Sequence, residues 1–234
     1  MSRSGTPPRT DVCVLIPAFN ESLSIERVVK SVRERGYPAV VIDDGSKDRT
    51  ADLARRAGAE VLTQAENRGK GAAIRRGFDW FLSRQFRALV LMDADGQHDP
   101  DDLDRLIAPV LDGRYDLAAG TRMSETRNMP PVRVATNRFM SWLISAVAHQ
   151  HIPDTQCGYR ALSRDLVDRL SLKTDRFETE TEMLFEAGRL GFRIGSVPVR
   201  TVYAGEKSRV RPVRDTLRFF SYLAKYLAEP KTKS

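Results

Sequence analysis

Two aspartates one residue apart, Asp93 and Asp95, follow a wholly apolar run at 89–92. An apolar run of this kind predicts a buried strand, so both carboxylates would leave the sheet at the end of that strand. Carboxylates at this spacing can share a hard divalent cation that also takes diphosphate oxygens, and Gln97 offers a further oxygen ligand. The alternative is a solvated acidic turn in which Asp99 caps the following helix.

A second acidic turn, Asp43-Asp44-Gly45-Ser46, joins another apolar run to a helical pattern. The carboxylate of Asp44 can accept a hydrogen bond from a base N–H of a nucleotide, while Gly45 permits a sharp backbone turn. The alternative is an ordinary turn in which Ser46 or Asp48 caps the next helix.

The glycine-rich segment 67–71 has the sequence Asn-Arg-Gly-Lys-Gly. It lacks the spacing and the Ser/Thr of the P-loop motif, which disfavours NTP hydrolysis of that type. The amino end of the following helix, with Lys70, could still hold a diphosphate. A plain glycine-rich turn is the alternative.

Strands and helices alternate in the first half of the chain. We predict strands at 12–17, 39–43, 60–63, 88–93 and 116–120, and helices at 25–36, 49–57, 72–86 and 100–111. This alternation predicts an α/β fold: a doubly wound, mostly parallel sheet with helices on both faces. Ligands of such sheets bind beyond the carboxyl ends of the strands, where the polar motifs after the first, second and fourth strands lie.

The second half of the chain is less regular. We predict helices at 132–149 and 179–190, a strand at 192–202 interrupted by Pro198, and a basic amphipathic helix at 211–228. That last helix suits either the membrane interface or packing against the domain. Residues 1–10 are expected to form a frayed leader, and no apolar run reaches the roughly 18 residues needed to span a bilayer.

The charge balance favours anionic partners. The 234-residue chain carries a formal net charge of +7, which suits nucleotides, phosphorylated lipids and acidic membrane surfaces. No nucleic-acid-binding module is recognisable, so nucleic acid is not an expected partner. The two cysteines do not predict a disulfide framework, and a reducing, cytoplasmic setting fits them best.

The order and spacing of these motifs resemble those of the inverting family-2 nucleotide-sugar glycosyltransferases of GT-A fold. The segment 17–21 (Pro-Ala-Phe-Asn-Glu), the Asp-Asp-Gly-Ser turn, the 67–71 segment and Asp-Ala-Asp-Gly-Gln-His at 93–98 carry the likeness. Gly-Thr-Arg at 120–122, Asp-Thr-Gln-Cys-Gly-Tyr-Arg at 154–160, Glu182 and the 195–199 segment are similar to the dolichol-phosphate mannose and polyprenyl-phosphate glucose synthase group. The likeness covers roughly residues 11–210, which implies a single domain with a nucleotide-sugar half (11–120) and an acceptor half (121–210).

The resemblance also implies roles for individual residues. The nucleotide-sugar would contact Pro17, Phe19, Glu21, Asp44, Lys70 and Ala94. Asp93, Asp95 and Gln97 would hold Mg²⁺ or Mn²⁺ on the diphosphate. The acceptor phosphate would face Arg122, Arg133, Lys207, Ser208 and Arg209. Gly-Glu-Lys-Ser at 205–208 replaces the more usual Gly-Glu-Ser-Lys, so either Lys207 or Arg209 could close over the site.

The nature of the acceptor decides whether a catalytic base is needed. An alcohol must lose its proton, and Asp154 and Glu182 are the candidate bases. A lipid phosphate is already anionic and needs cationic steering instead. Alternatively, Glu182 is a helix-surface charge or orients an arginine, and Asp154 is a turn residue beside Pro153.

These observations predict an inverting transferase that moves a hexose from a UDP- or GDP-sugar to a polyprenyl (dolichyl or undecaprenyl) phosphate. The protein would lie peripherally on the cytoplasmic face of a membrane, with a membrane protein as a possible partner. One alternative is the same enzyme class with a hydroxyl acceptor, on a glycan or a small molecule. Another is a non-catalytic subunit that binds a nucleotide-sugar.

Overall fold

The computed structural model describes residues 9–123, 131–176, 178–202 and 212–228, without the side chains of 131–133 and 212–218. The strands are β1 (Val12–Ala18), β2 (Ala39–Asp43), β3 (Glu60–Thr63), β4 (Ala88–Leu91), β5 (Leu117–Thr121), β6 (Arg160–Ser163) and β7 (Ile194–Pro198). The helices are α1 (Ile25–Glu34), α2 (Thr50–Arg56), α3 (Lys70–Leu82), α4 (Leu103–Leu111), α5 (Pro131–Ala148), α6 (Arg164–Arg169), α7 (Glu178–Arg189) and α8 (Pro212–Ala228), and a 3₁₀ turn at Pro100–Asp102 precedes α4.

The strands form one sheet in the order β3-β2-β1-β4-β6-β5-β7. Its β1–β2, β1–β4, β2–β3 and β5–β7 pairs are parallel, whereas β6 runs antiparallel to both β4 and β5. The predicted doubly wound, mostly parallel sheet is therefore confirmed. Strand β6 and helix α6 were not predicted.

Helices cover both faces of the sheet, as the side chains of β1 show by pointing alternately into two separate cores. Val14 and Ile16 pack into a core with α1, α2 and α4, while Cys13 and Leu15 pack into a second core with α3, α5, α6, α7 and α8. Every residue of β1 is buried, as expected for a strand that is covered on both sides. These two layers fix the strand ends that carry the polar motifs.

Several element boundaries differ from the predicted ones. Helix α3 begins at Lys70 rather than at residue 72, directly after Gly69, whose φ of 104° only glycine adopts readily. Strand β4 stops at Leu91, so Asp93 lies in the turn beyond the ladder. The strand predicted at 192–202 is confined to Ile194–Pro198.

The described part of α8 packs on the domain through its apolar stripe. Phe219 and Leu223 are buried in the second core, and Tyr222 and Tyr226 contact the ring of Phe185 in α7. Packing against the domain, one of the two predicted alternatives for this helix, is thus observed for these residues. Within the described ranges, no helix is both long and apolar enough to cross a membrane.

The start of the described chain is attached to the domain rather than frayed. The backbone N–H of Arg9 donates to the carbonyl of Gly36 at 3.0 Å, and its guanidinium pairs with Asp104 at 3.2 Å. Of the predicted leader, residues 1–8 lie outside the described residues.

Candidate functional site

The polar motifs after β1 and β2 are joined by hydrogen bonds. The backbone N–H of Asn20 donates to Ser46 Oγ at 2.9 Å, and the N–H of Lys47 donates to Asn20 Oδ1 at 2.8 Å. The N–H of Glu21 donates to Thr50 Oγ1 at 2.8 Å. Because β1 and β2 are parallel neighbours, both loops leave the same edge of the sheet and form one wall there.

The carboxylate of Asp44 holds the glycine-rich segment in place. Its Oδ1 accepts from Gln64 Nε2 and from the N–H of Arg68, and its Oδ2 accepts from the N–H of Gly69, all at 2.8 Å. Burial raises the pKa of Asp44 above its ordinary value, although these amide hydrogen bonds oppose the shift. The carboxylate has about four acceptor positions and uses three within the protein. Its contact with a nucleotide base stays a prediction.

The amino end of α3 is capped by the protein itself. The carbonyl of Asp175 accepts from the N–H of Gly71 at 2.8 Å and from that of Ala72 at 3.4 Å. A Cβ on Gly69 would lie 2.3 Å from this same carbonyl oxygen, so the approach requires glycine. Two amides at this helix end are therefore engaged within the protein, and the expectation that the helix end with Lys70 holds a diphosphate stays a prediction.

The side chain of Asp93 lies at the centre of an ionic cluster. Its Oδ1 is 2.5 Å from Lys70 Nζ, which is also 2.6 Å from Glu180 Oε1. Its Oδ2 lies 3.2 Å from His98 Nε2. Gly158 packs so closely against the carboxylate that a Cβ there would lie 2.5 Å from Oδ2. Lys70, His98 and the backbone at Gly158 therefore fix this one carboxylate, and Glu180 adds to the cluster through Lys70.

Electrostatics favours the charged form of both partners in this cluster. Burial alone would raise the pKa of Asp93, but the charge of Lys70 and the hydrogen bond from His98 hold it well below its usual range. Burial alone would lower the pKa of Lys70, but Asp93 and Glu180 raise it. Asp93 is therefore an anion at neutral pH, which is the form that a cation requires.

Asp95 completes the predicted metal pair at the same turn. Its Oδ1 accepts from the N–H of Gln97 at 3.0 Å, which shapes the turn. The described residues contain no ready-made group of three or more His, Cys, Asp or Glu ligands for a metal ion. Two carboxylates supply only part of a coordination shell. They therefore fit a hard cation whose remaining ligands are diphosphate and water oxygens.

The other residues predicted to contact a nucleotide-sugar lie at this edge with different exposure. Pro17 is buried in β1, and Ala94 is buried between the two aspartates. Phe19 and Glu21 are partly exposed in the loop after β1. Ala94 can therefore contribute little more than its backbone, whereas Phe19 and Glu21 can present side chains.

Asp154 forms a buried ion pair with Arg122. Its Oδ2 accepts from Arg122 Nε at 2.9 Å, and its Oδ1 accepts from Arg122 Nη2 at 3.0 Å and from Asn137 Nδ2 at 2.9 Å. Burial would raise the pKa of Asp154, but the Arg122 hydrogen bonds hold it below its ordinary value. A carboxylate that is 1% exposed and this fully engaged is a poor base, so its geometry does not support the predicted catalytic role.

Glu182 fixes a loop rather than facing the cluster. Its two oxygens accept from the backbone N–H groups of Lys173 and Thr174 at 2.8 and 2.9 Å, and from Thr174 Oγ1 at 2.6 Å. With 3% exposure, it is enclosed by these donors. The base role predicted for Glu182 therefore has no geometric support either, and neither does the surface-charge alternative.

The remaining predicted acceptor residues are incompletely described. Arg133 lies in α5, but its side chain is outside the described residues, as are Lys207, Ser208 and Arg209. Arg122 is described: its side chain is 17% exposed and pairs with Asp154. Burial lowers the pKa of its guanidinium, but the hydrogen bonds to Asp154 raise it above the ordinary value, and Asp93 adds a smaller electrostatic effect in the same direction. One predicted acceptor arginine is thus a charged group held by Asp154.

Sequence reasoning missed two residues that organise the site. Glu180 is one of four acidic residues in α7, and no sequence pattern distinguishes it from the others. Arg160 is 1% exposed and donates to the carbonyls of Thr155 (2.9 Å), Cys157 (3.1 Å) and Glu180 (2.5 Å). The available signal was an arginine directly before the apolar pair Ala161-Leu162.

The fold and site define a class: a GT-A-like α/β protein with an acidic pair at the carboxyl edge of its sheet. Residues 13–171 match the family model described as Glycosyl transferase family 2. The chain belongs to this family and is a glycosyltransferase.

Several proteins whose names state an activity are similar in sequence to most of this chain. An undecaprenyl-phosphate mannosyltransferase of Micrococcus luteus is 34% identical over 82% of this chain and 83% of its own. A polyprenol monophosphomannose synthase of Mycolicibacterium smegmatis is 32% identical over 82% and 77%. A UDP-N-acetylglucosamine–dolichyl-phosphate N-acetylglucosaminyltransferase of Methanococcus voltae is 30% identical over 82% and 86%.

A solved structure supports the fold. Glucosyl-3-phosphoglycerate synthase from Mycobacterium tuberculosis, crystallised with Mn²⁺, UDP and glucosyl-3-phosphoglycerate, superposes with a TM-score of 0.73. The match covers 94% of this chain and 80% of that one at 22% identity. At this identity the likeness confirms the predicted GT-A fold alone.

We expect Asp154→Asn to destabilise the protein by about 3 kcal/mol at pH 7, because it leaves Arg122 without its buried partner. The lowered pKa of Asp154 means that its stabilisation is present above the unfolded-state pKa of about 4 and is lost as pH falls through the folded-state pKa. The difference in unfolding free energy between variant and wild type should therefore shrink below about pH 4. Urea unfolding from pH 7 to 3 measures this.

Asp112→Asn is the matched control, since Asp112 and its partner Arg114 are both exposed. It should change stability by less than about 0.5 kcal/mol at every pH. A difference for Asp154→Asn that stays constant with pH would contradict the assignment of a charged pair.

Proposed function

We propose that this protein is an inverting glycosyltransferase that moves a hexose from a UDP- or GDP-sugar to a polyprenyl phosphate. The three relatives described above act, by their names, on polyprenyl, undecaprenyl or dolichyl phosphates, which supports this acceptor. One observation carries the proposal: both candidate bases are fully engaged within the protein, and one of them, Asp154, holds the cation Arg122, which suits an acceptor phosphate.

The donor half of the site is suited to a leaving nucleoside diphosphate. A divalent cation such as Mg²⁺ or Mn²⁺, bound at Asp93, Asp95 and Gln97, would offset the negative charge that develops on the diphosphate. Lys70 keeps Asp93 ionised and places a positive charge in the same region. The wall formed by the loops after β1 and β2 would hold the nucleotide through Phe19, Glu21 and the backbone near Asp44.

The acceptor half is suited to an anionic nucleophile. A phosphate oxygen needs no proton removed, so the engagement of Asp154 and Glu182 is no obstacle to attack. Asp154 holds Arg122 through Nε and Nη2, and within the described residues no hydrogen bond is formed by Nη1. The arginine can therefore orient an acceptor phosphate beside the donor. A hydroxyl acceptor is disfavoured because this arrangement supplies no evident base.

A lipid acceptor requires contact with a membrane, and α5 offers a described surface for it. Phe139 and Trp142 are 54% and 66% exposed, their rings lie 6.2 Å apart, and Arg138 is exposed beside them. Aromatic rings next to a cation suit the interface of an acidic bilayer. We propose that the protein binds the cytoplasmic membrane face peripherally, a setting that also suits its two buried free thiols.

The activity is tested with radiolabelled UDP-glucose and GDP-mannose, each with polyprenyl phosphate in detergent and Mn²⁺. We expect label from one donor in the organic phase. Asp95→Asn should lower this transfer by at least about 100-fold, because it removes charge from the cation site while the fold persists. Asp52→Asn, at an exposed ion pair with Arg55, is the matched control and should transfer normally.

Each other outcome of this assay identifies an alternative. Label found only in water-soluble product would favour the hydroxyl acceptor and defeat the lipid proposal. Tight nucleotide-sugar binding without transfer to any acceptor would favour the non-catalytic subunit.

We expect the double variant Phe139→Ser/Trp142→Ser to bind vesicles containing acidic lipid about tenfold more weakly than wild type. The single variant Leu23→Ser is the control, because Leu23 is 94% exposed in the loop before α1 and lies outside α5. Vesicle co-sedimentation measures the difference. Equal binding by the double variant and wild type would show that α5 is not the membrane surface.

A further inference from the structure

Lys70 is shared between two carboxylates from different parts of the chain. Its Nζ is 2.5 Å from Asp93 Oδ1 and 2.6 Å from Glu180 Oε1. The three side chains are between 18% and 29% exposed, so the ammonium is largely removed from solvent. Asp93 belongs to the predicted cation site, whereas Glu180 lies in the first turn of α7.

This sharing matters because a divalent cation that binds Asp93 through Oδ1 would compete with the Lys70 ammonium for that oxygen. Separating a partly buried ammonium from a carboxylate carries an electrostatic cost, which a second carboxylate in contact with it lowers. Glu180 is already in contact with Nζ, so it can keep the displaced ammonium paired.

Glu180 is held in position independently of Lys70. It lies in the first turn of α7, where the helix dipole stabilises a negative charge. Its backbone carbonyl accepts from Arg160 Nη1 at 2.5 Å, and Arg160 is itself buried and bonded to the 155–157 loop. The carboxylate therefore stays near the cluster whether or not the ammonium leaves Asp93.

We propose that Glu180 is a positioning residue that sets the affinity of the site for its divalent cation. It receives the Lys70 ammonium when the cation binds Asp93, and so lowers the cost of displacing it. The inference rests on the proposed function, since it takes the cation site as its starting point. It adds to that function a residue that touches neither the metal nor the donor.

The first test measures Mn²⁺ binding rather than turnover. Mn²⁺ is titrated calorimetrically into protein saturated with UDP and, separately, with GDP. Glu180→Gln should raise the Kd for Mn²⁺ about tenfold. Of the two carboxylates that contact the Lys70 ammonium, this variant keeps the one that the cation takes, Asp93. Glu178→Gln, the same charge change in the same helix turn, is the matched control and should stay within about twofold of wild type.

A double-mutant cycle separates this role from a plain charge effect. In a Lys70→Met background there is no ammonium to receive, so adding Glu180→Gln should change the Kd by less than about twofold. If Glu180 acted only by attracting the cation, the Glu180→Gln substitution would weaken Mn²⁺ binding equally in the wild-type and Lys70→Met backgrounds. That result would overturn the proposal. Loss of all Mn²⁺ binding in Lys70→Met would overturn it too, since the ammonium would then assist the cation.

The outcomes for the two proposals are distinct. If the wild-type protein fails to bind Mn²⁺ in the presence of UDP and also in the presence of GDP, the proposed function itself is overturned. Normal binding by wild type together with an unchanged Kd in Glu180→Gln would overturn the role of Glu180 alone. Urea unfolding of each variant confirms that a changed Kd comes from the site and not from lost structure.

Discussion

The ion pair between Lys70 and Asp93 is the interaction on which the site depends. It joins the turn after β4 to the start of α3, and Glu180 and His98 extend it to α7 and to the remainder of the turn. Burial alone would raise the pKa of Asp93, and the Lys70 charge together with the hydrogen bond from His98 opposes this effect. The carboxylate is therefore an anion in a fixed position before any substrate arrives.

Most of the other carboxylates near the cleft act on the protein's own backbone. Asp44 holds the amides of residues 68 and 69, and Glu182 holds those of residues 173 and 174. Asp154 holds Arg122. Loops that would otherwise be mobile are thereby fixed at the edge of the sheet, which lowers the ordering cost of binding. Because Asp154 and Glu182 are engaged in this way, neither is placed to act as a base, and an anionic acceptor fits the site.

The sequence predicts the first half of the fold well because its signals there are local. Apolar runs define β1, β2 and β4, and glycines such as Gly36 and Gly58 close the helices between them. Strand β6 was missed because its four residues include an arginine and its pairing depends on β4 and β5, which are distant in sequence. Local periodicity carries no information about such a contact.

The site was predicted in part for a similar reason. The position after a buried strand, together with the neighbouring motifs, selected Asp93 and Asp95 as the predicted cation ligands. Whether Glu180 or Glu182 faces the cleft depends on how α7 packs, and the sequence pattern alone gives no rotation for that helix. The selection of Glu182 followed the family resemblance, whereas the structure places Glu180 on Lys70.

The proposed function requires that the carboxyl edge of this sheet binds a nucleoside diphosphate and a divalent cation together. Thermal unfolding of the wild-type protein with UDP or GDP, each with and without Mn²⁺, measures this binding. Ligands that bind only the folded state raise the Tm, and we expect a larger rise with nucleotide and Mn²⁺ together than the sum of their separate rises. A Tm that responds to neither nucleotide in the presence of Mn²⁺ would contradict it.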